Sequence, residues 1–251
     1  MFTWSDESIR WYQNASEWTG YHALLAREVS EFLEPGFTVC DVGCGPGCLA
    51  VELAASVHRV AAVDVDERVL RCIRQKTAER KIGNVETVLC DYEKLPPNCC
   101  DVAVACSFGV MEKNALSFMR LARKRLIVIK RKDPVTEDDL TPDFFNCKYK
   151  RYDDEEFLDS YQISYRLYTF DGDFGQPLHD REEALRFLEH YGPDGEELPE
   201  KPEKFLKDYE ISEPGCEYKY YIPNKKEVHM LVIEKADLME LKACLSARYH
   251  R

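Results

Sequence analysis

The sequence predicts an α/β domain built around a doubly wound, mostly parallel sheet. Three observations carry that prediction. Between Phe37 and Lys132, short apolar runs alternate with segments whose apolar residues recur at helical spacing. One of them, Asp101–Cys106, is a continuous apolar run typical of a buried parallel strand. A glycine-rich turn, Asp41-Val42-Gly43-Cys44-Gly45-Pro46-Gly47, joins the first run to the helical segment after it.

The elements follow in order. Leu25, Val29, Phe32 and Leu33 recur at helical spacing, and Glu34-Pro35-Gly36 stops that helix. Ahead of it lies an aromatic-rich segment with Trp4, Trp11, Tyr12, Trp18 and Tyr21. Phe37–Val42 reads as a strand, Cys48–Ser56 as a small helix, Arg59–Val63 as the second strand and Glu67–Arg80 as an amphipathic helix. Val85–Cys90 and Asp101–Cys106 are the third and fourth strands, Ala115–Ala122 a helix and Leu126–Ile129 the fifth strand. Right-handed crossovers put the C-terminal ends of these strands on one edge, where open α/β sheets bind their ligands. Beyond Lys132 the pattern loosens. Asp133–Lys150 reads as a loop or cap, Glu155–Tyr161 as helix, Ser164–Phe170 as strand and Arg181–Tyr191 as helix. A polar stretch, Asp194–Glu203, precedes a short strand at Tyr218–Tyr221 and a firmer one at Val228–Glu234. Two late strands joined through a helical insertion extend the sheet at its edge to seven strands.

The chain has 251 residues, 45% of them hydrophobic, which suits one domain with a sizeable core. Its formal net charge of -12 repels phosphate backbones and argues against nucleic acid as a partner. The main basic cluster, Arg120, Arg123, Lys124 and Arg125, reads as a solvated helix end ahead of an apolar run. There are 11 cysteines, several of them inside apolar runs, and the first residues carry no secretory leader pattern. Reduced thiols and a cytoplasmic location are expected. No run approaches the ~20 apolar residues that a membrane-spanning helix needs.

The glycine turn is the sharpest motif. Glycines let the backbone turn tightly and approach a ligand closely, and Asp41 puts a carboxylate at the strand end, where a cationic amino group can sit. A nicotinamide-dinucleotide fingerprint would read G-x-G-x-x-G. Here the third glycine comes one residue earlier, and Cys48 stands at the dinucleotide-type position. This spacing, with the acid ahead of it, favours a nucleoside joined to an amino acid over a pyrophosphate. Asp64, at the end of strand two with Val65 beside it, can accept both ribose hydroxyls, while Asp66 is the better cap for the helix that follows. Asp91 ends strand three and can accept an adenine amino group while Tyr92 packs on the ring.

With these residues the sequence resembles the class I S-adenosylmethionine-dependent methyltransferases, in particular uncharacterised bacterial members of small-molecule type. The resemblance covers about Pro35 to Lys132. It implies a Rossmann-like fold and S-adenosylmethionine as cofactor, leaving as S-adenosylhomocysteine. Gly43, Gly45 and Gly47 match the glycine-rich motif with Cys44 inside it; Asp41 matches its leading acid, Asp64 the ribose acid and Asp91 the adenine acid. Cys106, Ser107 and Phe108 fall where the strand-four loop borders cofactor and substrate. The stretch Trp11–His22 looks like the lid of small-molecule members, so Trp18 and Tyr21 join Phe108 and Lys130 as expected substrate contacts. Phe174-Gly175-Gln176-Pro177 is similar to a late motif of bacterial relatives. A single domain is expected, with residues 1–34 as helical lid, 35–132 as cofactor-binding core and 133–251 as substrate-side cap and edge strands.

Departures from the family narrow the substrate. Ala105-Cys106-Ser107-Phe108-Gly109 lacks the Pro-Pro-aromatic loop that holds planar amines and the Pro-Cys of cytosine C5 chemistry. Cys40, Cys44 and Cys48 have the wrong last spacing for a radical iron–sulfur loop, and adjacent Cys99 and Cys100 do not chelate zinc in the usual way; no metal is expected. The expected reaction is in-line methyl transfer to a small-molecule acceptor, which needs positioning and exclusion of water more than a protein nucleophile. His22 and Tyr21 are the positional candidates for a base, and Lys130 and Arg131 are placed to meet an anionic substrate. The alternatives are an NAD-type oxidoreductase, a methyltransferase acting on protein and a non-catalytic cofactor-binding protein.

Overall fold

The computed structural model describes residues 3–132, 153–191, 202–237 and 239. The expected Asp133–Lys150 loop and most of the polar Asp194–Glu203 stretch lie outside the described residues. The chain opens with α1 (Asp6–Thr19) and α2 (Tyr21–Ser30). A capping box starts α1: the Ser5 side chain accepts from the Ser8 N–H, and the Ser8 hydroxyl accepts from the Ser5 N–H. Gly20, at φ 67°, turns the chain between the two helices. The aromatic segment expected ahead of one helix is thus itself helical.

The core alternates as the sequence predicts: β1 (Thr38–Val42), α3 (Cys48–Leu53), β2 (Arg59–Asp64), α4 (Glu67–Glu79), β3 (Val85–Leu89), β4 (Cys100–Cys106), α5 (Met111–Leu121) and β5 (Ala122–Arg131). Asp66 caps α4, its side chain accepting from the Arg68 N–H at 2.9 Å. β5 starts directly at the end of α5, four residues earlier than its apolar run (122 against 126). Arg123, Lys124 and Arg125 therefore lie on a strand and not on a solvated helix end. They are tied into the fold: Arg123 pairs with Asp101, Arg125 donates to the Phe32 carbonyl, and Lys124 sits over the Phe37 ring. Arg120 donates to the carbonyls of Glu93 and Leu95.

The rest comprises α6 (Asp154–Ser160), β6 (Arg166–Asp173), β7 (Gln176–Leu178), α7 (Arg181–Tyr191), α8 (Pro202–Lys207), β8 (Tyr220–Ile222) and β9 (Lys225–Glu234). Seven strands form one sheet in the order β3-β2-β1-β4-β5-β9-β6, and β7 and β8 form a separate pair. β3 to β5 are parallel, and β9 enters antiparallel between β5 and β6. β6 and β9 are the two late edge strands, with the helical insertion between them. The fold is a Rossmann-like, mostly parallel α/β sheet. Among the described residues, no helix is long and apolar enough to cross a membrane.

Strand side chains alternate between faces, so each strand feeds two cores. On one face Val39, Val60, Ala62, Val102, Val104, Ile127 and Ile129 pack under α2, α3 and α4. On the other, Cys40, Val42, Val63, Ala103, Ala105, Leu126 and Val128 pack under α5 and α6. A third cluster joins Trp11 of α1 to Leu178, Phe187, Leu188, Leu206 and Ile222 of the late insertion. It makes α1, α7, α8 and the β7–β8 pair one cap above the sheet edge.

Gly47 ends the glycine turn at φ 72°, and a Cβ there would run into the Ile73 side chain of α4. Gly47→Ala combines left-handed strain with overpacking and is expected to cost about 2–4 kcal/mol. Urea unfolding read by circular dichroism checks this; a variant as stable as the parent would show that α4 does not pack on this turn.

Candidate active site

A cavity of about 1100 Å³ opens at the carboxyl edge of the parallel strands and runs under the cap. This is at the upper end for a small-molecule site, with room for two ligands side by side. One half is built from the turns after β1 to β4. The N–H groups of Gly43 and Cys44 donate to the Val63 carbonyl at 2.9 and 3.0 Å, which fastens the glycine turn to β2. Asp64 completes that junction, its Oδ2 accepting from the Gly45 N–H and its Oδ1 from the Asp66 N–H, both at 2.9 Å. A carboxylate offers about four acceptor directions, so each oxygen keeps one toward the cavity. Val65 beside it is half exposed at the rim.

Asp41 is buried, and its Oδ2 has no partner. Burial, with Asp64 nearby, raises its pKa to about 7. Asp91 caps the short turn Tyr92–Lys94, accepting from the Glu93 N–H at 3.0 Å. The Tyr92 hydroxyl accepts from Asn114 at 2.7 Å, and its ring meets Phe108 edge-on. Ser107 holds a left-handed φ of 51° at the end of β4 and so turns Phe108 over Gly43, where a Cβ would displace the ring. Trp4 stands over Gly45 in the same way.

The other half belongs to the lid and the late insertion, with Tyr12, His22, Cys106, Arg131, Phe174, Gln176, Phe187, Tyr191 and Asn224 in its wall. His22 is buried between the Tyr12 hydroxyl (2.9 Å from Nε2) and the Ser16 hydroxyl (2.8 Å from Nδ1). Burial lowers its pKa to about 3, with Lys76 and Arg131 adding to the effect, so it stays neutral. Burial raises the Tyr12 phenol well above its usual range.

The structure thus brings together Asp41, Gly43, Cys44, Gly45, Asp64, Val65, Asp91, Tyr92, Ser107, Phe108 and His22. Four residues expected at the site lie outside the cavity wall. Gly47 sits beneath the turn. Trp18 is 43% exposed on the far side of α1, against Tyr218 and Tyr221. Tyr21 is buried below the wall, its ring facing Arg131 and Phe174. Lys130 points to the opposite face of the sheet and clamps the β4 loop through the carbonyls of Phe108 (3.2 Å) and Gly109. Strand parity explains this last difference: Ile127, Ile129 and Arg131 share one face of β5, while Leu126, Val128 and Lys130 share the other. That parity was the signal for Arg131; Asn224, Phe187 and Tyr191 reach the site only through tertiary packing. Among the described residues, no group of three or more His, Cys, Asp or Glu could hold a metal ion.

Residues 39–126, the strands and turns that build the first half of the cavity, match the methyltransferase domain family model. Residues 39–126 therefore carry a methyltransferase domain. The cofactor of this domain is S-adenosylmethionine. Among curated proteins, the ribosomal protein L11 methyltransferase of Caldicellulosiruptor saccharolyticus is 36% identical over 72 residues, which is 27% of this chain and 23% of that protein. The chain therefore matches about a quarter of that relative's length. Two solved structures share the fold over 85% of this chain and 98% of theirs: the YcgJ protein of Bacillus subtilis (14% identity, TM-score 0.53) and a candidate methyltransferase from Bacillus halodurans (17% identity, TM-score 0.51).

Asp41 gives the methyltransferase domain a pH signature. Its folded pKa lies above the unfolded value of about 3.9, so the folded chain binds the extra proton between about pH 4 and about 7, and stability falls as pH rises through that window. Asp41→Asn removes this fall. Urea titrations across the window are expected to show the variant gaining on the parent as pH rises; parallel curves would mean that Asp41 ionises freely in the folded state.

Proposed function

We propose that this chain transfers a methyl group from S-adenosylmethionine to a small-molecule acceptor. The observation that carries the reading is the continuity of the cavity from the glycine turn to the aromatic cap: one end suits a nucleoside with an amino acid, the other a small apolar body.

Three features fit the cofactor. The unpartnered Oδ2 of buried Asp41 is the acceptor that the methionyl ammonium would satisfy, and the cation would return Asp41 to its charged form. Asp64, held rigid by two backbone N–H groups, keeps lone pairs for the ribose hydroxyls. Asp91 and Tyr92 stand where the adenine amino group and ring would lie, and Val65 borders the ribose. Bound there, the cofactor supplies a sulfonium-activated methyl that an acceptor lone pair takes as the carbon–sulfur bond breaks.

The chain's own contribution is placement and dryness. Trp4, Tyr12, Phe108 and Phe174 wall the space between the two halves and exclude water. Neither polar group of the lid is tuned as a base near neutrality: His22 is held down in pKa and Tyr12 up. Rate enhancement therefore rests on orienting the acceptor, with the Tyr12 hydroxyl, held by His22, which Ser16 holds in turn, as a fixed polar contact.

Calorimetric titration with S-adenosylmethionine and S-adenosylhomocysteine, with NAD as control, tests the reading. Both are expected to bind in the micromolar range and NAD not to bind. Asp64→Ala is expected to weaken both by about tenfold or more, since hydrogen bonds to a charged group are worth about 1.5–3 kcal/mol. Binding of NAD alone would overturn the reading. Once an acceptor is found, His22→Gln should leave the shape of the kcat–pH profile between about pH 5 and 8 unchanged. Loss of an ascending limb in the variant would instead make His22 a base.

A further inference from the structure

The cavity wall holds two guanidinium groups of contrasting state. Arg68 pairs with Asp66 at 2.6 Å. Arg131 has no acidic partner among the described residues. Its Nη2 donates to the Asn224 carbonyl at 2.6 Å, its Nε is buried without a partner, and its guanidinium lies 5.7 Å from the Tyr21 ring centre and 5.6 Å from that of Phe174. The nearby acid, Asp173, acts on it through space without pairing: its Oδ1 accepts from the N–H groups of Gly175 and Asn224, and its Oδ2 accepts from the Tyr221 hydroxyl. A cation so enclosed is expensive unless something neutralises it. Beside it, the Oδ1 of Asn224 is also buried and unpartnered. Parity on β5 puts Arg131 on the cavity face shared with Asp41 and Asp64, two strands along the sheet from Asp41.

We propose that Arg131 is the anion-recognition residue of the acceptor subsite, and that the acceptor is a planar, largely apolar molecule carrying a carboxylate. The guanidinium fork matches a carboxylate in geometry as well as charge. Asn224 Oδ1 accepts a hydroxyl or amino hydrogen of the same molecule, and Tyr12, Phe174, Phe187 and Tyr191 cover its flat body. This inference rests on the methyl-transfer reading, because it assigns the acidic half of the cavity to the cofactor.

The test uses the full chain saturated with S-adenosylhomocysteine. The probes are 4-hydroxybenzoate and indole-3-acetate, each against its uncharged methyl ester, by calorimetry or ligand-observed NMR. The acids are expected to bind about tenfold or more tighter than the esters. Arg131→Gln is expected to bring that ratio close to one while leaving S-adenosylhomocysteine affinity within about threefold, and Arg131→Lys, which keeps charge but loses the fork, to give an intermediate ratio. Retained S-adenosylhomocysteine binding reports that each variant is folded. A ratio near one in the parent chain overturns the proposal without any variant. So does an unchanged ratio in Arg131→Gln, or a loss of S-adenosylhomocysteine affinity in that variant with its circular dichroism intact, which would assign the arginine to the cofactor. If the parent binds no S-adenosylhomocysteine, the methyl-transfer reading itself fails and this one with it.

Discussion

The register of β1 between β2 and β4 is the constraint on which the site depends. Val42 pairs with Val63, and Asp41 lies beside Ala62 on one side and Val104 on the other. Side chains alternate along each strand, so this register fixes which face every terminal residue takes. Asp41 falls on the face of Val39, Asp64 on that of Val60 and Ala62, and Arg131 on that of Ile127 and Ile129. Cys106 packs on the same core. A slip of one residue in any of these strands would turn its site residue to the α5–α6 side, where Lys130 lies.

The cap is held together by a few buried polar contacts. The Trp11 indole donates to Glu183 Oε1 at 3.1 Å, while Oε2 of the same carboxylate accepts from the His179 N–H at 2.7 Å and contacts its ring nitrogen at 2.8 Å. One buried acid thus ties α1 to the start of α7. The edge-on contact of Trp11 with Phe187 closes the apolar part of the same joint. Because α1 also carries Tyr12 into the cavity wall, whatever holds the late insertion in place also sets the roof of the site.

Charge is distributed with equal economy. Acids cluster at the half proposed for the cofactor, and Arg131, which has no ion-pair partner among the described residues, stands in the wall proposed for the acceptor. Burial then acts on the two halves with opposite sign: it raises the pKa of Asp41 and lowers that of His22. Beside satisfied pairs such as Arg68–Asp66 and Tyr12–His22, the wall keeps buried side-chain acceptors without a partner, Asp41 Oδ2 and Asn224 Oδ1.

Much of this was legible in the sequence. The apolar runs and the glycine turn determined the parallel core, because both are local: continuous apolar strands demand cover on two faces, and only glycine suits the positive φ values at 43, 45 and 47. The carboxylates Asp41, Asp64 and Asp91 were legible because strand ends place them without help from distant residues. What the local pattern did not decide was the acceptor half. Trp18 and Tyr21 belong to the same aromatic segment as Tyr12, yet the turns of the two helices bring Tyr12, and neither of them, to the cavity wall. The choice of Arg131 over Lys130 needed the core on each face to be identified. Asn224, Phe187 and Tyr191 lie in segments whose position depends on cap contacts made across more than 170 residues of chain, such as Trp11 to Glu183. Such contacts carry no local signature, and only the folded chain brings them to the edge that the sequence had marked.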